Sequence, residues 1–297
     1  MGRLPDWVNL PASAALPFGV FEHVLAYEEN KGIAEICEKL IGSAAEDKRS
    51  SAEALAETRR TLLDLKAPPE LVSSLGAAME SSGLPWPLQW DEAWLCIKRV
   101  WASKWNDRAY LSRMARGIAD KDLVMAVLIQ KIVEADYSFV IHTVNPVTGS
   151  TDEIYGEVVL GLGEALVGNY PGKALSFVCN KGGREPRLFS FPGKSAGLFG
   201  SGLIFRSDSN GEDLADYAGA GIYDSFILPQ PRKISLNYMN DPLFWNDDFR
   251  RDLLLHLSEM GVQIENILEG PQDIEGVYSG GRYYAVQSRP QVGVKNT

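Results

Sequence analysis

The stretch Gln272-Asp273-Ile274-Glu275-Gly276-Val277-Tyr278-Ser279-Gly280-Gly281-Arg282-Tyr283-Tyr284-Ala285-Val286-Gln287-Ser288-Arg289-Pro290 decides the fold. Polar and apolar residues alternate on both sides of the Gly-Gly pair, as in two strands that each turn one face to a core and are joined by a turn rich in positive φ. A strict two-residue turn sets Glu275 opposite Val286 and mixes the faces. A three-residue loop with a bulge sets Glu275 opposite Gln287 and Asp273 opposite Arg289, and gathers Ile274, Tyr278, Tyr284 and Val286 on the other face. We therefore expect the three-residue loop. Its polar face offers carboxylate oxygens suited to Mg²⁺ and a guanidinium suited to phosphate oxygens, the minimum equipment for phosphoryl transfer. A structural ion pair between Asp273 and Arg289 fits the same hairpin, which by itself leaves both readings open.

Working back from the hairpin, Asp247 to Leu268 has helical periodicity, and strand-like runs occupy Val124 to Ile132, Tyr137 to Thr143, Glu153 to Leu160, Ala174 to Val178 and Leu203 to Phe205. From Gly19 to Met79 the pattern is helical, with Ile33, Ile36, Cys37 and Leu40 at three- and four-residue spacing, and Ser50 with Glu53 forms a capping box. After the breaker-rich loop Ser81 to Pro87, Asp91 to about Arg116 is expected to be one long amphipathic helix. Its Trp94, Trp101 and Trp105 share a face and read as core rather than as a sugar platform. The expected organisation is a mostly helical part over 1–118, a mixed α/β part over 119–292, and a tail over 293–297.

The net charge of −10 in 297 residues, with Lys and Arg dispersed, disfavours nucleic acid and anionic membrane surfaces as partners. No apolar run approaches the length of a bilayer span, so no membrane partner is expected. The first residues lack the composition of a signal or transit peptide and read as mature protein. Cys37, Cys96 and Cys179 are far apart and odd in number, which argues for a reducing compartment and against a disulfide framework.

Three further places carry chemical potential. Arg206-Ser207-Asp208-Ser209-Asn210-Gly211-Glu212-Asp213, running on to Tyr217-Ala218-Gly219-Ala220-Gly221, combines a cation, hydroxyls and glycines able to wrap phosphate, and a solvated acidic turn is the plainer reading. Gly161-Leu162-Gly163-Glu164 follows a strand and permits close backbone approach. Gln130 ends an apolar strand, with polar contacts to an adenine ring as one role and an ordinary strand end as the other. His23, His142 and His256 read as structural or surface residues.

Taken in order, Trp101-Ala102-Ser103-Lys104-Trp105-Asn106-Asp107-Arg108-Ala109-Tyr110, Phe139-Val140-Ile141-His142-Thr143, Gly161 to Glu164, Ile204 to Asp213 and Gln272 to Gly276 resemble the C-terminal region of α-glucan, water dikinases from about residue 3 to residue 292. That region belongs with the nucleotide-binding domains of pyruvate phosphate dikinase and phosphoenolpyruvate synthase. The resemblance implies an ATP-grasp-like mixed α/β fold with an N-terminal helical layer. Arg206-Ser207 follows the Trp-Ala-Ser and Gly-Leu-Gly-Glu segments, the order of the α-glucan enzyme and not of the pyruvate enzymes, which disfavours a pyruvate-type fragment.

The resemblance implies transfer of the β-phosphate of ATP to a histidine and then to a glucosyl 6-hydroxyl of starch, with the γ-phosphate going to water. By the same resemblance Arg206 and Arg289 hold phosphates, Glu275 ligates Mg²⁺ with Asp273 beside it, and Gln287 and Gln130 contact nucleotide. Gly219 and Ser225 align with the segment that covers the phosphates. Arg206, Glu275 and Arg289 are the expected catalytic set. The family's lysine-bearing glycine-rich segment lies upstream of Leu4-Pro5-Asp6-Trp7, and its phosphohistidine domain and starch-binding modules have no counterpart here. Turnover therefore implies a phosphohistidine domain in cis or in trans and contact with glucan through other domains. A truncated, non-catalytic nucleotide-binding or regulatory module is the alternative. The implied place of work is the plastid stroma.

Overall fold

The computed structural model describes residues 3–46, 51–87, 89–168, 171–183, 185–214, 217–218 and 221–291. The capping-box residue Ser50, Gly219 and the tail 293–297 lie outside the described residues. The fold is mixed α/β. Two compact units are each assembled from separated segments. One holds residues 1–11, 132–201 and 230–297, and the other holds 12–131 and 202–229.

The first unit is built on a seven-stranded sheet. In spatial order its strands are Val8–Asn9, Arg282–Pro290, Gln272–Ser279, Tyr137–His142, Glu153–Leu160, Leu175–Asn180 and Arg187–Ser190. All neighbours are antiparallel except the first pair. One face is covered by the helix Asp247–Leu268, which starts where the Asn246 side chain accepts from Phe249 N at 3.0 Å and where Asp247 and Asp248 face the positive end of the helix. Leu253, Leu254, Leu257, Met260 and Ile264 bury themselves against Phe139, Ile141, Ile154, Phe177 and Ile274. The helix lies close to the sheet at Gly261, where an added Cβ would stand 3.0 Å from Ile141 Cγ2.

The terminal hairpin settles the register question in an unexpected way. Asp273 pairs with Arg289 and Glu275 with Gln287, as the three-residue loop requires. The turn itself is a strict two-residue one, Gly280-Gly281 between paired Ser279 and Arg282, with φ of 54° and 83°. The extra residue sits instead in a bulge inside the ladder, between Glu275–Gln287 and Gly276–Ala285. As a consequence Tyr283 and Ala285, not Tyr284 and Val286, join the core face.

The second unit has a four-stranded sheet ordered Phe226–Leu228, Gly202–Ser209, Met125–Ile132 and Ser13–Leu16. Helices Val20–Ala26, Lys31–Glu46, Ser51–Leu62, Pro69–Ser81 and Trp90–Ala102 supply its core together with Met125, Val127, Ile129, Leu203 and Phe205. Trp94, Trp101 and Trp105 are all buried there. The single helix expected from Asp91 to Arg116 is broken in two, because Asn106 takes an extended conformation with ψ of 144° and spends its amide on Asp224 at 2.8 Å. Ile36 is exposed, so the apolar stripe of its helix is narrower than the spacing suggested. Asn30, fully buried, ties the helices to the following loop by donating to Val24 O and Lys66 O and accepting from Lys66 N.

Candidate functional site

Strand pairing fixes which side chains share a face, since paired residues point the same way. In the first unit one row across the sheet reads Gln287, Glu275, Val140, Glu157, Ser176, Ser190. The next reads Arg289, Asp273, His142, Tyr155, Val178, Arg187. The intervening positions, Ile274, Ile141, Gly156 and Phe177, lie on the other face, where Ile274, Ile141 and Phe177 belong to the helix-covered core. The sheet therefore has one apolar face under the helix and one face that gathers the expected Asp273, Glu275, Gln287 and Arg289.

Two glycines fix which way these strands face. Gly276, next to Glu275, has no room for a Cβ, which would stand 2.2 Å from Phe139 Cζ and 2.6 Å from Tyr284 O. Gly156, between Tyr155 and Glu157, faces Phe177 in the same way at 2.3 Å. Each glycine lets a buried aromatic ring lie directly against the backbone on the core side. The flanking carboxylates are thereby turned to the opposite side.

Within the polar face Arg289 donates from Nε and Nη2 to Asp273 Oδ2 at 2.9 and 2.6 Å. Asp273 Oδ1 is buried without a hydrogen-bond partner, as is His142 Nδ1, 3.7 Å away from it. The ion pair that stood as one of the two open readings of the hairpin is thus present, and half of the carboxylate remains unused by it. Tyr155 donates to Glu157 Oε1 at 2.9 Å, and burial, reinforced by the Glu157 charge, pushes its phenol up to about 12.

These residues suit Mg²⁺ in kind: carboxylate oxygens, one of them buried and unpaired. Among the described residues no set of three His, Cys, Asp or Glu side chains converges to hold a metal alone. Mg²⁺ takes one or two carboxylates and completes its shell with phosphate oxygens and water. The Gly161-Leu162-Gly163-Glu164 turn closes one end of this unit's sheet. Gly161 has φ of 78°, and a Cβ there would meet Leu198 O at 2.4 Å.

In the second unit Leu203, Phe205, Val127 and Ile129 face the helical core. By alternation Arg206 and Gln130, on neighbouring strands, share the opposite face. Gln130 is buried, with Nε2 3.5 Å from Ser13 Oγ. Ser225 is exposed beside Asp224. Of the Arg206 to Gly221 segment, residues 215–216 and 219–220 lie outside the described residues. Arg206 to Ser209 are strand, and Asn210 accepts from Val124 N and donates to Asp122 O, which anchors the chain. Sequence reasoning passed over His142, Tyr155 and Glu157 as members of the polar face. The signal was the alternation in Glu153 to Leu160, which sets Tyr155 and Glu157 on one side and Gly156 on the other.

Comparison with known proteins shows what the chain is similar to. The profile of the pyruvate phosphate dikinase AMP/ATP-binding domain matches residues 44–174. The chain is 49% identical over 298 aligned residues, 98% of its length, to the chloroplastic alpha-glucan water dikinase of Citrus reticulata and equally to that of Solanum tuberosum, covering 20% of each. It is 44% identical to alpha-glucan water dikinase 2 of Arabidopsis thaliana, over 98% of this chain and 23% of that one. A probable phosphoenolpyruvate synthase of Pyrococcus abyssi is 27% identical over 68% of the chain and 22% of the relative. The chain thus spans about a fifth of the length of the curated relatives it matches. It carries an AMP/ATP-binding domain of the pyruvate phosphate dikinase family and is homologous to a part of the alpha-glucan water dikinases.

Proposed function

We propose that the chain is the ATP-binding, phosphoryl-donating part of a starch-phosphorylating dikinase, working in the plastid stroma with Mg²⁺. The observation that carries this reading is the row arrangement of Asp273, Glu275, Gln287 and Arg289 on one sheet face. Glu275 and the unused oxygen of Asp273 would hold the metal, which neutralises phosphate charge when bound. Arg289 is preset by Asp273, so its guanidinium loses little freedom on meeting a phosphate oxygen. Gln287, one position along the same face, offers an amide to the nucleotide. Arg206 and Gln130, which share a face of the other unit's own sheet, are assigned to phosphate and to nucleotide by the sequence resemblance alone. The bulge at Glu275/Gly276 is what brings Glu275 and Gln287 into one row.

The overall reaction, ATP + α-glucan + water to AMP + phosphate + 6-phosphoglucan, needs a phosphohistidine and a glucan site supplied by other domains. Within this chain the function reduces to holding the metal-nucleotide complex and presenting its phosphates. The test is calorimetric titration of the folded chain with ATP in the presence of Mg²⁺ and in its absence, with Glu275→Ala alongside. Metal-dependent binding that weakens about tenfold or more in the variant is expected for loss of a charged ligand contact. A folded wild-type chain that binds no nucleotide overturns the reading.

A further inference from the structure

Beyond the four residues assigned above, the polar face holds a fifth whose charge is not accounted for. Glu157 stands in the same row as Glu275 and Gln287, with only Val140 between the two carboxylates. Two strand spacings separate them, roughly 9–10 Å at the backbone, a gap that two glutamate side chains leaning over Val140 largely close. Glu157 is half-buried, and among the described residues no cation lies within ion-pair distance of it. Its one oxygen Oε1 is fixed by the Tyr155 hydroxyl at 2.9 Å, and Tyr155 in turn lies ring to ring with His142 at 6.1 Å. The strand has no freedom to turn this carboxylate inward, because Gly156 behind it is pressed against Phe177.

A partly desolvated carboxylate without a cation costs free energy in the ligand-free protein, and the cost is recovered when a cation arrives. Neither a core role nor a solvated-surface role explains that arrangement: the side chain is aimed away from the core, and its geometry is held by a half-buried phenol rather than left to water. The location points to a partner that comes with the nucleotide. We propose that Glu157 is a further metal-facing residue of the nucleotide site, drawn to the divalent cation of the metal-nucleotide complex through the cation itself or its bound water, and that Tyr155 is the positioning residue that keeps Oε2 turned outward. The inference rests on the reading of this face as the metal-nucleotide site and adds to it a residue on a different strand from the terminal hairpin.

Glu157→Gln keeps size and hydrogen-bonding shape and removes only the charge. In the full chain, calorimetry should show Glu157→Gln binding Mg²⁺·ATP about tenfold or more weakly, as for loss of a charge-assisted contact, while binding of ATP in excess chelator is unchanged or stronger. A purely structural role for Glu157 would lower both affinities together or neither. Tyr155→Phe should weaken only the metal-dependent component, and by less. Thermal unfolding of each variant checks that the fold survives. Equal Mg²⁺·ATP affinity in wild type and Glu157→Gln, both folded, overturns the proposal. If the wild type binds no nucleotide at all, the reading of the face fails first. The inference is then tried with Mn²⁺ alone by the shift in thermal midpoint, and equal shifts in wild type and Glu157→Gln overturn it separately.

Discussion

Replacing Gly156 by alanine adds one carbon at a place where the structure has no room for it. The new Cβ would lie 2.3 Å from Cε1 and 2.6 Å from Cζ of Phe177, against an ordinary contact of 3.4–4 Å. Phe177 is fully buried, so its ring must retreat by more than an ångström into a packed layer. Overpacking of that kind costs about 1–3 kcal/mol, and this contact belongs at the upper end. Gly156 does not have a positive φ, so alanine also restricts the unfolded chain and returns about 0.4–1 kcal/mol. The net expectation is a loss of about 2 kcal/mol. Phe177→Leu alone shortens the ring and should cost about 1 kcal/mol, since most buried carbons remain. The double variant has no clash and should cost little more than Phe177→Leu, giving a favourable coupling of at least about 1 kcal/mol. Because the chain has two compact units, a global urea curve is not a safe two-state readout. Hydrogen exchange of the Glu153–Leu160 amides, read with the urea midpoint, isolates the relevant sheet. Additivity within about 0.5 kcal/mol would show that Phe177 is not what demands glycine here.

Asn30→Ala should destabilise the second unit by about 2–4 kcal/mol, because it strands the carbonyls of Val24 and Lys66 and the Lys66 amide; a change below about 0.5 kcal/mol in the hydrogen-exchange free energy of that unit's core amides would count against it. Gly281→Ala should cost about 1 kcal/mol through its φ of 83°, with no compensating contact because nothing lies within 4 Å of the added carbon. Thermal unfolding equal to wild type would show that the turn relaxes to another type. Tyr155 is held protonated in the folded chain, with its pKa raised to about 12 from 10, so its contribution is complete below pH 10 and is lost as pH rises towards 12. Tyr155→Phe should therefore lose less stability than wild type between pH 10 and 12, and parallel pH profiles would remove the Tyr155–Glu157 pair as the cause.

The hairpin was legible because its alternation admits only registers that keep Ile274 on the core side and Asp273 and Glu275 together. The position of the irregularity was not legible. A loop of three residues and a two-residue turn with an internal bulge give the same pairs at Asp273 and Glu275, and the sequence between them carries no local signal that separates the two. What separates them is tertiary: Gly276 must lie flush with Phe139, a contact 137 positions away in the chain. The long helix expected over Asp91 to Arg116 failed for a related reason. Its periodicity is unbroken, but Asn106 finds a partner in Asp224 that repays the lost helical turn. Arg206 and Gln130 were chosen by resemblance, and only the alternation of Leu203, Phe205, Val127 and Ile129 into the core shows that they share a sheet face. Glu157 stayed hidden because a glutamate alternating with apolar residues in a strand reads as solvent-facing, and the sequence alone does not say that its neighbours across the sheet are Val140 and, one strand further, Glu275.

The charge on the polar face bears on which form of the nucleotide it accepts. Asp273 and Arg289 neutralise one another, and Arg289 uses Nε and Nη2 to do so, which leaves Nη1 out of the pair. Glu275 and Glu157 add two carboxylates to this face, with Arg187 at the far end of the neighbouring row, and carboxylates repel a bare polyphosphate. A divalent cation reverses the sign of the encounter, since it is attracted by both carboxylates and brings the phosphates with it. The order of affinity should accordingly be Mg²⁺·ATP over free ATP, and Glu157→Gln with Glu275→Gln should invert it by favouring the free nucleotide. Titration of the double variant in chelator and in Mg²⁺ decides this. If free ATP binds the wild type as tightly as its metal complex does, the carboxylates are not facing the phosphates, and Arg289 is held by Asp273 for the sake of the sheet rather than for a ligand.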